Sequence, residues 1–318
     1  MRIPVTPDQV GARLDRFLTV RVPQWSRSRL QALIKSGGVR VDGEVIKRPG
    51  SRLLEAQVVQ FDLPELAPPT DPEGGAIVDL PLLYSDEHIA LVDKPAGLLS
   101  HANDRSQRET VVTMAEDVLG PLAPTEDPRR RGVVHRLDRM TSGVMIIART
   151  PQAMEGMQAR FADREVQKTY YALVHHHPRF SSEMVDAPLE TDPKHRQKMR
   201  VAEGGMGRPA STLTETLELF QGHALVAAYP HTGRTHQVRV HLTHIGHPIV
   251  GDPQYTQRGA IRDPIPKEAP LPRRQCLHAA KISFEHPVTG EPMIGESPLA
   301  SDFSNLLDWM RTHMAVEG

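Results

Sequence analysis

The stretch HRLDRMTSGVMIIA, residues 135–148, sets one carboxylate, Asp138, between two arginines in a polar segment that runs into an apolar strand. Thr141, Ser142 and Gly143 predict a tight turn, and a strand behind the turn would hold the acid rigidly. With Arg136 and Arg139 beside it, the carboxylate is expected to stay ionised and to face the path of an anionic ligand. A second stretch, HTGRTHQVRVHLTHIGHPIVGD over 231–252, gathers arginine and histidine at a glycine turn entering a helix. A helix N-terminus next to Arg234 and His236 suits phosphate. Arg239 follows the apolar Val238 and should project from the edge of the buried face into a cleft. In KTYYALV, residues 168–174, alternation puts Lys168, Tyr170 and Ala172 on one strand face, where a tyrosine ring suits stacking on a base. Each has a plainer reading when taken singly: a turn with surface ion pairs, a snorkelling helix arginine, a core tyrosine.

The elements that must position these groups are visible as periodicities. Strand-like runs fall at 89–92, 144–148, 170–174, 225–228 and 281–284. Helices are predicted over 151–161, with Pro151 at its first position and Ala153, Met154, Met157 and Phe161 inward. Two more are predicted over 235–245, on the face Val238, Leu242 and Ile245, and over 302–310, on Phe303, Leu306, Leu307 and Met310. Strands and helices without strict alternation indicate an α+β fold. Near the N-terminus Leu14, Phe17 and Leu18, then Leu30, Leu33 and Ile34 after Pro23, predict two short helices, the second capped by Ser26 and stopped at Gly37 and Gly38. VRVDGEVI is a hairpin signal centred on Asp42 and Gly43, and residues 58–63 offer a further strand. Residues 64–75, PELAPPTDPEGG, read as a linker. The expected organisation is a small domain over 11–63, a linker over 64–76 and a larger domain over 77–318.

Composition bounds the function. The 318 residues carry a formal net charge of −1, which by itself argues against nucleic acid, yet the charge is unevenly spread. Residues 1–60 hold eleven Lys/Arg against five acids, whereas 61–90 hold seven acids and no Lys or Arg. Arg13, Arg16, Arg27, Arg29 and Lys35 sit on or beside the first helices, where they would either track a phosphate backbone or form a solvated face. The single cysteine, Cys276, excludes an internal disulfide and a cysteine-built metal site, suits a reducing compartment, and reads as a small buried hydrophobe. His236, His241, His244 and His247 do not match a tetrahedral ligand spacing, so no metal is expected. The start lacks the pattern of a signal peptide and no apolar run is long enough for a membrane span, so a soluble, cytoplasmic protein is expected.

RLDRFL, SRSRLQALIKSGGVRVDG and SRLL, over residues 11–63, resemble the S4 RNA-binding domain, which implies two helices and a small sheet that bind RNA. KPAGLLSH (94–101), HRLDRMTSG, KTY and GRTHQVRVHL, in that order, together with the C-terminal LHA and HPVTGE segments, resemble the RluA-type family of pseudouridine synthases over nearly all of 77–318. The resemblance implies a mixed, mainly antiparallel sheet flanked by helices around a central active-site cleft. It further implies that Asp138 is the catalytic carboxylate, that Tyr170 packs on the target base, that Arg239 pairs with the carboxylate, and that Arg136 helps hold the flipped-out nucleotide's surroundings. Arg234 and His236 join Arg13, Arg27, Arg29 and Lys35 as expected RNA contacts. Met140 departs from the acidic or amide residue usual before TSG. The S4-bearing members chiefly modify large-subunit ribosomal RNA, so 23S RNA is the expected partner of a monomer. Isomerising uridine involves no redox step or net hydrolysis, so no cofactor is implied. The same activity on tRNA, or a non-catalytic RNA-binding factor in ribosome assembly, are the alternatives.

Overall fold

A computed structural model describes residues 1–22, 27–62, 79–102, 109–256 and 264–316. In the N-terminal unit, strands β1 (Arg2–Pro4), β2 (Val39–Val41), β3 (Glu44–Val45) and β4 (Val58–Phe61) form a sheet in the order β1-β4-β2-β3. Helices α1 (Leu14–Arg21) and α2 (Arg27–Ser36) share one apolar cluster with it, in which Leu14, Phe17, Leu18, Leu30 and Ile34 meet Val39, Val59 and Phe61. Asp42 (φ 51°) and Gly43 (φ 87°) make the two-residue turn between β2 and β3, the conformation that a type I′ hairpin demands. Asp15 is buried and knits the helices, accepting from Gln31 at 2.6 Å and from Arg13 at 3.0 and 3.1 Å. The strand expected over 58–63 ends at Phe61. The Ser26 cap and the 64–76 linker lie outside the described residues.

The larger unit adds β5 (Leu82–Ser85), β6 (Ile89–Lys94), α3 (Val111–Leu119), β7 (Ser142–Ala148), α4 (Pro151–Ala162), β8 (Gln167–His175) and β9 (Ser182–Asp186). A short hairpin, β10 (Leu189–Thr191) and β11 (Met199–Val201), leads to β12 (Ser211–Phe220), β13 (His223–Pro230), α5 (Gln237–His244), β14 (Leu277–Glu285), β15 (Pro292–Glu296) and α6 (Ser301–His313). Among the described residues nine strands form one sheet, in the order β5-β6-β7-β14-β8-β13-β12-β9, with β15 on the far half of β14. Every pairing in it is antiparallel except β7 with β14, so the sheet is mixed and mainly antiparallel.

Helices cover the sheet because its central strands are apolar on both sides. All seven residues of β7 are buried: Val144 and Ile146 join Met154 and Met157 of α4, while Met145 and Ile147 join Val111 and Met114 of α3. A strand buried on both faces reads as an unbroken apolar run, which is what residues 144–148 show. Further along, β8 and β13 pack with Val238 and Leu242 of α5 and with Phe303, Leu306, Leu307 and Met310 of α6. Cys276 is buried in that cluster, and burial pushes its thiol up to about 12.

Candidate active site

Two expectations about local geometry change. The turn beside Asp138 is closed by Thr141 N donating to the Asp138 carbonyl at 3.0 Å, so Ser142 and Gly143 already belong to β7. Gly143 is needed for a different reason. Its φ is 120°, and a Cβ there would sit 2.2 Å from the Ala279 carbonyl oxygen of β14, so only glycine lets the parallel strands approach this closely. In the second case α5 starts at Gln237 rather than Thr235, because His236 takes a left-handed conformation (φ 57°) at the N-cap.

The loop carrying Asp138 is pinned from several sides. Ser100 Oγ accepts from Leu137 N at 3.1 Å and donates to the Leu137 carbonyl at 2.9 Å. Gly97 N donates to the Arg139 carbonyl, and Arg139 Nε returns to the Gly97 carbonyl, both at 2.9 Å. Arg139 is thereby spent on structure instead of flanking the carboxylate. Lys94, fully buried, donates to the carbonyls of Pro95, Leu98 and Arg139 at 2.9, 2.9 and 3.1 Å, and burial together with the nearby Arg274 lowers its amine to about 7. Arg274, also buried, donates to the Met140 carbonyl at 3.3 Å and holds Asp302 of α6 at 2.6 and 2.7 Å. The N-terminus of α6 is thus tied to the same loop.

Asp138 faces Arg239, whose Nη1 donates to Oδ2 at 3.0 Å. Arg239 is buried, and its direction is set from behind: Nε and Nη2 donate to the wholly buried Asp252 at 2.7 and 3.0 Å, and Nη2 also reaches Gln254 Oε1 at 2.9 Å. Asp252 is fixed in turn by the backbone N–H groups of Gln254 and Tyr255 at 2.8 and 3.1 Å. A planar fork shared by two carboxylates has one orientation, which a lysine could not reproduce. The Tyr255 ring lies 4.9 Å from the guanidinium carbon.

Asp138, Tyr170 and Arg239 line one cleft of about 510 Å³, together with Arg136, Lys168 and His236. Tyr170 sits half-buried on β8, and burial, then the Asp138 charge, push its hydroxyl well above the usual tyrosine range. It therefore keeps its proton, with the side chain lining the cleft. Lys168, one alternation earlier on the same strand, is lowered to about 8 by burial. Arg136 is exposed on the rim. Arg234 also lines the cleft, but its Nε donates to the Pro209 carbonyl at 3.1 Å. His236 meets the Tyr255 hydroxyl through Nδ1 at 2.6 Å, and its Nε2 faces Asp138 Oδ1 at 3.8 Å.

In the N-terminal unit Lys35 and Arg16 are exposed, while Arg13 is tied to Asp15. Arg27 and Arg29 lie on α2, their side chains outside the described residues. Among the described residues no group of three or more His, Cys, Asp or Glu is placed to hold a metal ion, and no helix is long and apolar enough to cross a membrane. His241, for one, is used inside the fold, bonded to Thr212 and to the Ala187 carbonyl at 2.9 Å each. Sequence reasoning assigned no role to Lys94, Asp252, Gln254, Tyr255 or Arg274. Asp252 stood at the end of a stretch already singled out, but nothing in linear spacing shows that an acid thirteen residues after Arg239 folds back against it.

The RNA pseudouridylate synthase family matches residues 88–244, and the S4 domain matches residues 12–59. Ribosomal large subunit pseudouridine synthase D of Xanthomonas campestris is 38% identical over 327 residues, covering 99% of this chain and 94% of that protein. The protein of the same name from Zymomonas mobilis is 33% identical over 308 residues, covering 96% of each. Among solved structures, human RNA Pseudouridylate Synthase Domain Containing 4 aligns with a TM-score of 0.56 at 25% identity, over 74% of this chain and 94% of that one. A cleft lined by an arginine-paired aspartate, on this sheet and in a chain that also carries an S4 domain, therefore belongs to a member of the RNA pseudouridine synthase family.

Proposed function

We propose that the protein converts specific uridines of large-subunit (23S) ribosomal RNA to pseudouridine, with Asp138 as the reacting carboxylate, Arg239 as its charged partner and Tyr170 as the surface against which the base packs. The observation that carries this reading is the 3.0 Å Arg239–Asp138 pair on the wall of a cleft that Tyr170 also lines. The reaction breaks the N1–C1′ bond, turns the uracil and rejoins it through C5. A single carboxylate beside a permanent cation suffices for this without cofactor or metal. Lifting the uridine out of its stack costs a few kcal/mol as an order of magnitude. Stacking on an aromatic ring, about 1–3 kcal/mol per base, offsets much of that.

The proposed division of labour follows the two cores. Residues 11–63 bind RNA through cations that include Arg13, Arg27, Arg29 and Lys35, which adds affinity by tethering, and residues 77–318 carry the chemistry. Arg136, Arg234 and His236 act at the cleft on the nucleotide's surroundings. The proposed working form is a cytoplasmic monomer. The substrate class rests on relatives named for large-subunit modification. The test is carbodiimide-blocked primer extension on RNA from cells with and without the gene. Loss of stops in 23S RNA is expected; loss confined to tRNA would move the substrate there, and no loss in either would leave an RNA-binding assembly factor.

A further inference from the structure

The two oxygens of Asp138 have different neighbours. Oδ2 is held by Arg239 at 3.0 Å, whereas Oδ1 faces His236 Nε2 at 3.8 Å, too far for a hydrogen bond. The other ring nitrogen, Nδ1, lies 2.6 Å from the Tyr255 hydroxyl, and that hydroxyl accepts the backbone N–H of Met199 on β11 at 2.9 Å. Tyr255 is buried, and among the described residues His236 Nδ1 is the acceptor within reach of its proton. The hydroxyl therefore donates to Nδ1, and the ring's own hydrogen sits on Nε2. Protonating Nδ1 as well would leave a buried hydroxyl proton without an acceptor, so the relay disfavours the imidazolium.

We infer that His236 is a positioning residue for the reaction, kept by the Met199–Tyr255 relay as a neutral imidazole whose Nε2–H faces Asp138 Oδ1 without bonding it, so that this oxygen stays open while Arg239 anchors the other. A cation at this place would close onto Oδ1 as an ion pair and compete with the substrate. A neutral donor just out of reach forms no such pair and leaves Oδ1 open to the sugar or base, with the carboxylate held through Oδ2 by Arg239. The backbone agrees: His236 holds φ 57° at the N-cap of α5, a conformation that non-glycine residues adopt at a cost, and it aims the ring at the carboxylate. The charged and titratable groups around the ring are Asp138 from the loop before β7, Arg136 from the same loop, Arg239 on α5, and Asp252 and Tyr255 from the segment after it. Burial lowers the imidazole below its ordinary range, in the same direction as the relay. The inference rests on the reading of Asp138 as the reacting group.

Tyr255→Phe isolates the relay, because it keeps the ring under Arg239 and removes the hydroxyl. The readouts are single-turnover tritium release from RNA labelled at uridine C5 between pH 5.5 and 8.5, RNA affinity, and the ¹⁵N spectrum of histidine-labelled protein with His236 assigned by comparison with His236→Gln. The native ring should appear as the neutral Nε2–H form across this range. In Tyr255→Phe its titration should move upward from the native one, and the rate at the acid end of the range should fall about tenfold, the kinetic weight of one net hydrogen bond, with affinity unchanged and recovery at higher pH. His236→Gln, which can still present an N–H, should retain more activity than His236→Ala. A native-like pH profile and spectrum in Tyr255→Phe would overturn the relay. Asp138→Asn in the same assay separates the two ideas: if it is inactive while Tyr255→Phe is normal, only the relay fails, and if it is active, the reading of Asp138 fails too.

Discussion

Asp252 offers the sharpest test of how the cleft is built, because it is wholly buried and touches no part of the proposed substrate path. Its Oδ1 accepts from Arg239 Nη2 and from two backbone N–H groups, while Oδ2 accepts from Arg239 Nε alone at 2.7 Å. In Asp252→Asn the amide nitrogen takes the Oδ2 place, where it disrupts the fewest bonds, and meets the guanidinium donor to donor. Removing one partner of a buried ion pair costs about 3–5 kcal/mol, and retention of the Oδ1 contacts puts the expected loss at the lower end, about 3 kcal/mol. For a unit of this size that is a fall of about 6–12 °C in melting temperature. The functional loss should be separable from it. Without its second carboxylate the Arg239 fork is no longer aimed, and a misplacement of about 1 Å at a reacting geometry costs about 100-fold in rate. Thermal unfolding followed by circular dichroism gives the first quantity. Single-turnover tritium release, run well below the new melting temperature, gives the second. A folded variant whose rate stays within twofold of native would refute the claim that Asp252 orients the arginine.

Other consequences are equally direct. Gly143→Ala would drive a Cβ into the Ala279 carbonyl, so we expect a loss of more than about 4 kcal/mol or no folded protein, and an unchanged urea midpoint would contradict the parallel β7–β14 contact. His135, His101 and His175 are lowered mainly by burial to about 3, 4 and 4. Because the unfolded chain binds these protons first, stability present above pH 6.5 should fall between about pH 6.5 and 4 by about 1.4 kcal/mol per pH unit for each residue. Urea unfolding at pH 7 and pH 5 checks it, and equal midpoints would show that folding does not disfavour the charged form of these rings. Lys168 loses its proton near pH 8, so RNA affinity should decline from pH 7.5 to 9 in the native protein and less so in Lys168→Met, as read by filter binding.

Much of the site was legible because its parts are local. Asp138 stands beside a continuous apolar run that had to be a buried strand, Arg239 sits one residue off the apolar face of a helix, and Tyr170 alternates with Lys168 along a strand; the fold brings all of them to one cleft. What stayed hidden is what depends on distant pairing. Gly143 looked like a turn residue because glycine after Thr-Ser usually is one, whereas its role is set by a strand more than a hundred residues later. Arg139 looked like a flank for the carboxylate until the backbone turned it to Gly97. His236 stands at the entry to α5 and on the cleft, but linear spacing does not show its left-handed backbone or its contact with Tyr255.

The most direct measurement is tritium release from C5-labelled 23S RNA by the native protein and by Asp138→Asn, each at enzyme excess and with binding measured alongside. The native protein should release tritium from the modified positions, and Asp138→Asn should bind the same RNA and release none over many native half-times. Turnover by Asp138→Asn, even a hundredfold slowed, would mean that the reacting group lies elsewhere in the cleft.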